Sequence, residues 1–262
     1  MKTMRDLLQH FPREEKEFAE KIIDSCQQVE NTYSHRVTSF LNHRQVAIAT
    51  SIAHHFQLLT FSSLELVETE FSRMIIAPSY YQLEVDDFDM MALEIAYPQK
   101  FHKLTHAQIL GTLLNQLGIK RQFIGDILLS DNQAVVLIDR KFGQLLQTSV
   151  QKIARVPVNW IEVDWTRLEL KVDDMQTREL LLSSLRLDKI VSTAFKLSRA
   201  SAVKLIEGKQ VKLDYAEETQ AARLVELGQL ISVRGFGRIR LREVVGYTKQ
   251  GKLKVDIELI KK

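Results

Sequence analysis

The chain has 262 residues, with 36 Lys+Arg against 33 Asp+Glu, 45% hydrophobic residues, ten Gly, four Pro and one Cys. That balance is typical of a globular protein and excludes a disordered, collagen-like or disulfide-stapled chain. At about 100 to 200 residues per domain, the length suggests two or three domains. No stretch reaches the roughly 18 to 20 consecutive apolar residues of a membrane-spanning helix. Met1 to Phe11 lacks the continuous apolar core of a signal peptide, so the expected compartment is the cytoplasm.

The net charge of +3 conceals an asymmetry. Met1 to Ser183 holds 19 basic and 24 acidic residues, a net of −5, whereas Ser184 to Lys262 holds 17 and 9, a net of +8. An excess of that size on one end of a chain is expected where that end meets a polyanion.

Apolar residues recurring three and four apart make segment 1–77 a mostly helical amino-terminal domain. Phe18, Ile22, Cys26 and Val29 form one stripe, which gives Cys26 the role of a small core residue. A second helix is expected over Val46 to Leu59, and Ser62 or Ser63 is placed to cap a short one through Leu66. Segment 78–165 changes rhythm. A strand over Met91 to Tyr97 is followed by a helix from His106 to Leu117, capped by Thr105 and stopped at Gly118. Strands at Ile124 to Leu129 and Ala134 to Asp139, a helix from Phe142 to Ile153 and a strand at Asn159 to Val163 complete a β-α-β-β-α-β order. This is the ferredoxin-like, RRM-like arrangement. Residues 166–183 read as a charged connector, extended at Leu168 to Val172 and turning helical near Asp173. The fold class expected overall is α+β.

Segment 184–262 opens with two short helices. Leu187, Ile190, Val191 and Ala194 share a buried face, leaving Arg186, Lys189 and Thr193 on the other. Ser198 caps a helix from Arg199 to Glu207 that buries Ala202, Leu205 and Ile206, with Gly208 at its end. Strands follow at Val211 to Leu213, Leu230 to Val233, Arg238 to Leu241 and Leu253 to Ile257. An arginine in the first turn of a helix opposes the helix dipole, a mismatch that a phosphate at the helix start would resolve. Lys189, Lys204, Lys209 and Lys212 extend the basic patch, although any one of them alone is explained as a solvated surface lysine. Arg238, Arg240 and Arg242 alternate with Ile239 and Leu241 on one strand face at about 6 to 7 Å, close to a nucleic-acid phosphate repeat. Arg234 precedes this row. Gly235 and Gly237 serve either close backbone approach or a tight turn, and Phe236 either stacks on a base or packs in the core.

Arg186-Leu187-Asp188-Lys189, Leu197-Ser198-Arg199, Ala202, Leu205-Ile206, Gly208, Val211 and Leu213, with Glu226 to Gly235, resemble the alpha-L, S4-like RNA-binding module over about residues 184–245. Two positions depart from it: Gln229 replaces the acid of a usual Gly-Asp pair, and Asp214-Tyr215 stands where Asn-Gly is common. Over its whole length the chain resembles the YlmH family. The supporting residues are Phe40-Leu41-Asn42-His43-Arg44, Leu104-Thr105-His106, Gly118-Ile119-Lys120-Arg121, Gly125-Asp126-Ile127 and Ser232 to Arg238. The resemblance implies a ribosome-associated RNA-binding protein, encoded with cell-division genes, whose relatives are associated with large ribosomal subunits obstructed by peptidyl-tRNA, a quality-control setting. Its implied partners are ribosomal RNA, tRNA, the large subunit and a division protein bound through the first domain. The RNA-binding residues expected are Arg186, Lys189, Ser198, Arg199, Lys204, Lys209, Lys212, Arg234, Arg238 and Arg240.

No catalytic residue, metal or cofactor is expected. His102 and His106 lack an accompanying Cys or acid cluster, and Gly235-x-Gly237 is too short for a dinucleotide fingerprint. Residues 124–139 lack the aromatic and basic run that stacks on bases, so the middle domain reads as a docking or spacer domain. Two rivals remain: an RNA-modifying enzyme using Asp126 or His106, and a cell-division scaffold.

Overall fold

The computed structural model describes residues 11, 13–130, 133–168 and 175–261, and the chain divides into two compact units, 1–172 and 173–262. Among the described residues, the first unit begins with α1 (Arg13–Thr32), β1 (Arg36–Val37), β2 (Leu41–Asn42), α2 (His43–His55), β3 (Leu59–Ser62), β4 (Phe71–Ser72) and β5 (Met74–Ala77). The α1 stripe packs as the sequence suggests: Ile22, Cys26 and Val29 are buried with Ile48 and Ile52 of α2 against Met74 and Ile76. Burial pushes the Cys26 thiol up to about 12, which keeps it protonated and inert. The helix expected over 46–59 ends instead at His55, because Gln57 takes a left-handed conformation and the chain leaves as β3. β3 and β1 flank β5 in an antiparallel sheet, so among the described residues the segment expected to be helical is two helices on a small three-stranded sheet. Ser62 does cap a short 3-10 turn, accepting the Leu64 N–H.

Next come β6 (Met90–Ala96), α3 (His106–Leu117), β7 (Ile124–Leu129), β8 (Ala134–Asp139), α4 (Arg140–Ser149), the hairpin β9 (Lys152–Ile153) and β10 (Val156–Pro157), and β11 (Asn159–Val163). The sheet order β11-β6-β8-β7, antiparallel throughout, is that of the ferredoxin-like fold. Thr105 and Gln108 form a capping box at the start of α3, and left-handed Gly118 closes it. The second helix begins earlier than expected, because the buried Asp139 carboxylate accepts the Lys141 N–H and so starts α4.

The second unit contains β12 (Met175–Leu182), α5 (Leu187–Ala194), α6 (Arg199–Glu207), β13 (Val211–Leu213), β14 (Ala216–Glu217), β15 (Leu230–Val233), β16 (Gly237–Tyr247) and β17 (Leu253–Lys261). One six-stranded sheet, β12-β17-β16-β15-β13-β14, carries both helices on one face. The helical start expected near Asp173 lies outside the described residues, and the chain just after it is β12, paired along β17 from Met175–Ile260 to Leu182–Leu253. Leu187, Ile190, Val191, Ala202 and Ile206 from the helices meet Val211, Ile231, Val233, Ile239, Leu241, Val255 and Ile257 from the strands. Alternation along a strand then sends Lys212, Arg238 and Arg240 to the opposite face.

Candidate nucleic-acid interface

Asp188 organises the helical side of the second unit. Its carboxylate is fully buried, yet it accepts Arg186 Nε and Nη2 at 3.0 Å each and Arg199 Nε at 2.9 Å. Hydrogen bonding by Arg186, reinforced by Arg199, holds the Asp188 carboxyl below the usual carboxylate range. The same contact raises the Arg186 guanidinium. Three details of the chain bring these groups together. Arg186 is the N-cap residue of α5, Asp188 lies in its first turn, and Arg199 is the first residue of α6. The segment 221–225 ties down the α5 start, with Leu187 N–H donating to Arg223 O at 2.8 Å and Asp188 N–H to Ala221 O at 3.1 Å. Asp188 therefore offsets the unfavourable placement of Arg199 in a first turn, and both guanidinium planes are held in a fixed orientation while remaining partly open to solvent. They border an open depression whose wall includes Lys204, Glu207 and Thr219.

The ten basic and polar positions singled out in the sequence do not form one face. Arg186, Lys189, Ser198, Arg199 and Lys204 lie on the two helices and their starts. Ser198 spends its hydroxyl on the helix, accepting Ser201 N–H at 3.0 Å. Lys209 and Arg234 sit where α6 runs into the sheet, Arg234 N–H donating to Gln210 O. Lys209 pairs with Glu217 at 3.5 Å, and Lys212 stands opposite the same glutamate in the β13–β14 register. Lys212, Arg238 and Arg240 occupy the sheet face away from the helices. There Arg240 lies opposite Glu258, which also pairs with Arg242 at 3.2 Å, so the arginine row is partly neutralised from β17.

Phe236 packs in the core, its ring centroid 5.7 Å from that of Phe195. Gly235 makes the β15–β16 turn at positive φ, which settles the glycine as a turn residue. The two departures from the alpha-L pattern are coupled: Gln229 Nε2 donates to Asp214 Oδ2 at 2.8 Å, and Asp214 Oδ1 accepts Leu230 N–H at 2.8 Å. Asp214 and Tyr215 both take positive φ, completing the tight turn that Asn-Gly would otherwise make.

In the first unit, the sheet face opposite α3 and α4 is covered. Met90, Ala92, Val135 and Leu137 are buried beneath Phe40, Ile75 and Trp165. Two groups of family-like residues meet at this seam. A Cβ on Gly125 would come within 2.6 Å of the Phe40 ring, Phe40 N–H donates to Gln122 O at 3.0 Å, and Asp126 Oδ2 accepts Glu70 N–H at 2.6 Å and Phe71 N–H at 3.2 Å. Burial pushes the Asp126 carboxyl up to about 6. Arg73, itself buried, donates to Thr38 O and Asp89 O and pairs with Asp139 at 3.3 Å. Among the described residues, no helix is long and apolar enough to cross a membrane.

This is an α+β protein whose second unit carries fixed, half-exposed arginines and whose first unit has a ferredoxin-like sheet with its open face filled. Family models described as "YlmH, N-terminal" and "Putative RNA-binding domain in YlmH" match residues 14–81 and 84–167. The solved structure of "Cell division protein ylmH from Streptococcus pneumoniae" is 38% identical with a TM-score of 0.55, covering 61% of this chain and 98% of that one. "Ribosome-associated protein quality control protein P2" of Bacillus subtilis (strain 168) is 28% identical over 255 residues, 97% of this chain and 99% of that protein. The chain belongs to the YlmH family.

Proposed function

We propose that this is a non-catalytic, cytoplasmic RNA-binding protein that docks its second unit on structured RNA of the large ribosomal subunit, beside a bound peptidyl-tRNA, in ribosome quality control. The observation that carries the reading is the Arg186–Asp188–Arg199 cluster. Two guanidinium groups are oriented from within, so phosphate contact costs them little side-chain entropy. The order of two short helices followed by antiparallel strands supports the alpha-L resemblance. The description of residues 84–167 and the name of the Bacillus relative support RNA and the ribosome as partners. The enzyme reading is weakened because Asp126, its nearest candidate acid, is committed to two backbone N–H groups.

The test is the affinity for deproteinised ribosomal RNA as a function of salt. Each phosphate contact contributes about −0.7 to −0.9 to the slope of log affinity against log salt, so replacing Lys189 and Arg199 by alanine flattens it by about one unit each. An unchanged slope would contradict the reading.

The name of the Streptococcus relative favours a second reading, in which the first unit binds a division protein. Removing residues 184–262 would then leave the division phenotype intact.

A further inference from the structure

The long hairpin of the second unit reaches well beyond the sequence that resembles an RNA-binding module. After the Leu230–Arg240 pair, β16 continues to Tyr247 and β17 returns from Leu253, flanked by the end of β12 at Leu181 and Leu182. Between Val244 and Val255 the chain reads Val-Gly-Tyr-Thr-Lys-Gln-Gly-Lys-Leu-Lys: three lysines and no acid. The turn is internally fixed. Thr248 N–H donates to Lys252 O at 2.8 Å, Lys252 N–H to Thr248 Oγ1 at 3.0 Å and Gly251 N–H to Thr248 O at 2.9 Å, with Gly251 at φ +76°. Lys249 and Lys252 are exposed, and Tyr247 is 70% exposed.

Such a composition is hard to explain as packing. A strand-end tyrosine with its ring in water loses the burial that normally accounts for an aromatic residue. Lys249 and Lys252, exposed on a rigid turn, repel one another unless a polyanion neutralises them, whereas Lys254 shares its strand face with Asp256, which lies opposite Glu243 and Glu179. The tip also lies at the same end of the unit as the arginine cluster: Leu253 pairs with Leu182, and only Ser183, Ser184 and Leu185 separate Leu182 from Arg186. At no more than about 3.6 Å per residue, with about 5 Å more across the strand pair, that places Arg186 within about 20 Å of Leu253.

We propose that the Tyr247–Lys254 hairpin tip is a second RNA contact, with Lys249, Lys252 and Lys254 on the phosphates and Tyr247 stacking on an unpaired base. The proposal rests on the RNA-binding reading above and extends its site along the strand. A nucleic acid fits better than a folded acidic protein, because cations spaced around an exposed aromatic ring match a backbone with splayed bases.

The experiment uses the full-length protein and deproteinised large-subunit ribosomal RNA, with thermal melting to show that each variant keeps the unmodified stability. Lys249→Ala/Lys252→Ala is expected to flatten the salt slope by about 1.5 units. Tyr247→Ala is expected to weaken binding about 5- to 100-fold with the slope unchanged, and Tyr247→Phe to restore it. If the lysine pair and Tyr247→Ala leave slope and affinity unchanged while Arg199→Ala still weakens binding, the hairpin contact is overturned and the main reading stands. If Tyr247→Ala alone is silent, the stacking role is overturned. If the unmodified protein shows no salt-dependent binding, the reading on which the proposal rests has failed.

Discussion

Arg199 Nε lies 2.9 Å from Asp188 Oδ2, eleven positions apart in sequence, so the start of α6 is fastened to the first turn of α5 by a charge-assisted hydrogen bond. That bond turns a locally unfavourable arginine into an anchored one, and Arg186 joins the same carboxylate from the N-cap position.

Asp188→Asn keeps the shape and removes the charge. We expect it to destabilise the protein by about 1 to 3 kcal/mol in urea denaturation, because hydrogen bonds to charged groups are lost at a buried site. RNA affinity should fall as well. The carboxyl is held below its unfolded value, so its contribution is present above the unfolded pKa and lost as pH falls through the folded one. The difference between the unmodified and Asn proteins should therefore shrink towards acid.

Asp126 has the opposite sign. Its folded pKa of about 6 exceeds the unfolded value of 3.8, so the folded state binds the extra proton between these limits. Stability falls as pH rises through that window, and above it the full cost of a buried charge is present. Asp126→Asn, which retains an acceptor for the Glu70 and Phe71 amides, should stabilise the protein at pH 8 by about 1 to 3 kcal/mol and be nearly neutral at pH 4. Chemical denaturation at the two pH values checks this.

Arg73→Met should be severe. It takes the buried cation away from the Asp139 carboxylate, which keeps the more exposed Lys141 ammonium at 3.3 Å, and leaves the Thr38 and Asp89 carbonyls without their guanidinium donor, a loss of about 3 to 5 kcal/mol. A thermal melt reads it directly.

Gly125→Ala tests the seam within the first unit. The new methyl would meet the Phe40 ring at 2.6 Å and Leu137 Cβ at 3.0 Å, so we expect a loss of about 1 to 3 kcal/mol. Phe40→Leu in the same chain should recover part of it, and a double-mutant cycle measures the coupling.

These contacts also show what a linear reading reaches. The helix over 106–117 and the strands at 124–129 and 134–139 were legible because their signals are local: a capping box, a terminal glycine and short runs of β-branched residues bounded by a turn. β12 was not legible. Met-Gln-Thr-Arg-Glu-Leu-Leu-Leu has helical propensity, and only β17, far along the chain, makes it a strand. The end of α2 was missed because a left-handed Gln57 carries no sequence mark. In the site, each basic residue could be picked out. Which face of the sheet the helices cover could not, and that face decides that Arg238 and Arg240 stand apart from Arg199.

On the proposed function, the second unit places its arginine cluster on one element of large-subunit RNA. Crosslinking the protein to RNA in living cells and sequencing the attached fragments tests it most directly. The expected map is concentrated on one ribosomal RNA helix with accompanying tRNA and is depleted when Lys189 and Arg199 are replaced by alanine. A map scattered over unrelated transcripts, or one unchanged in that double variant, would contradict it.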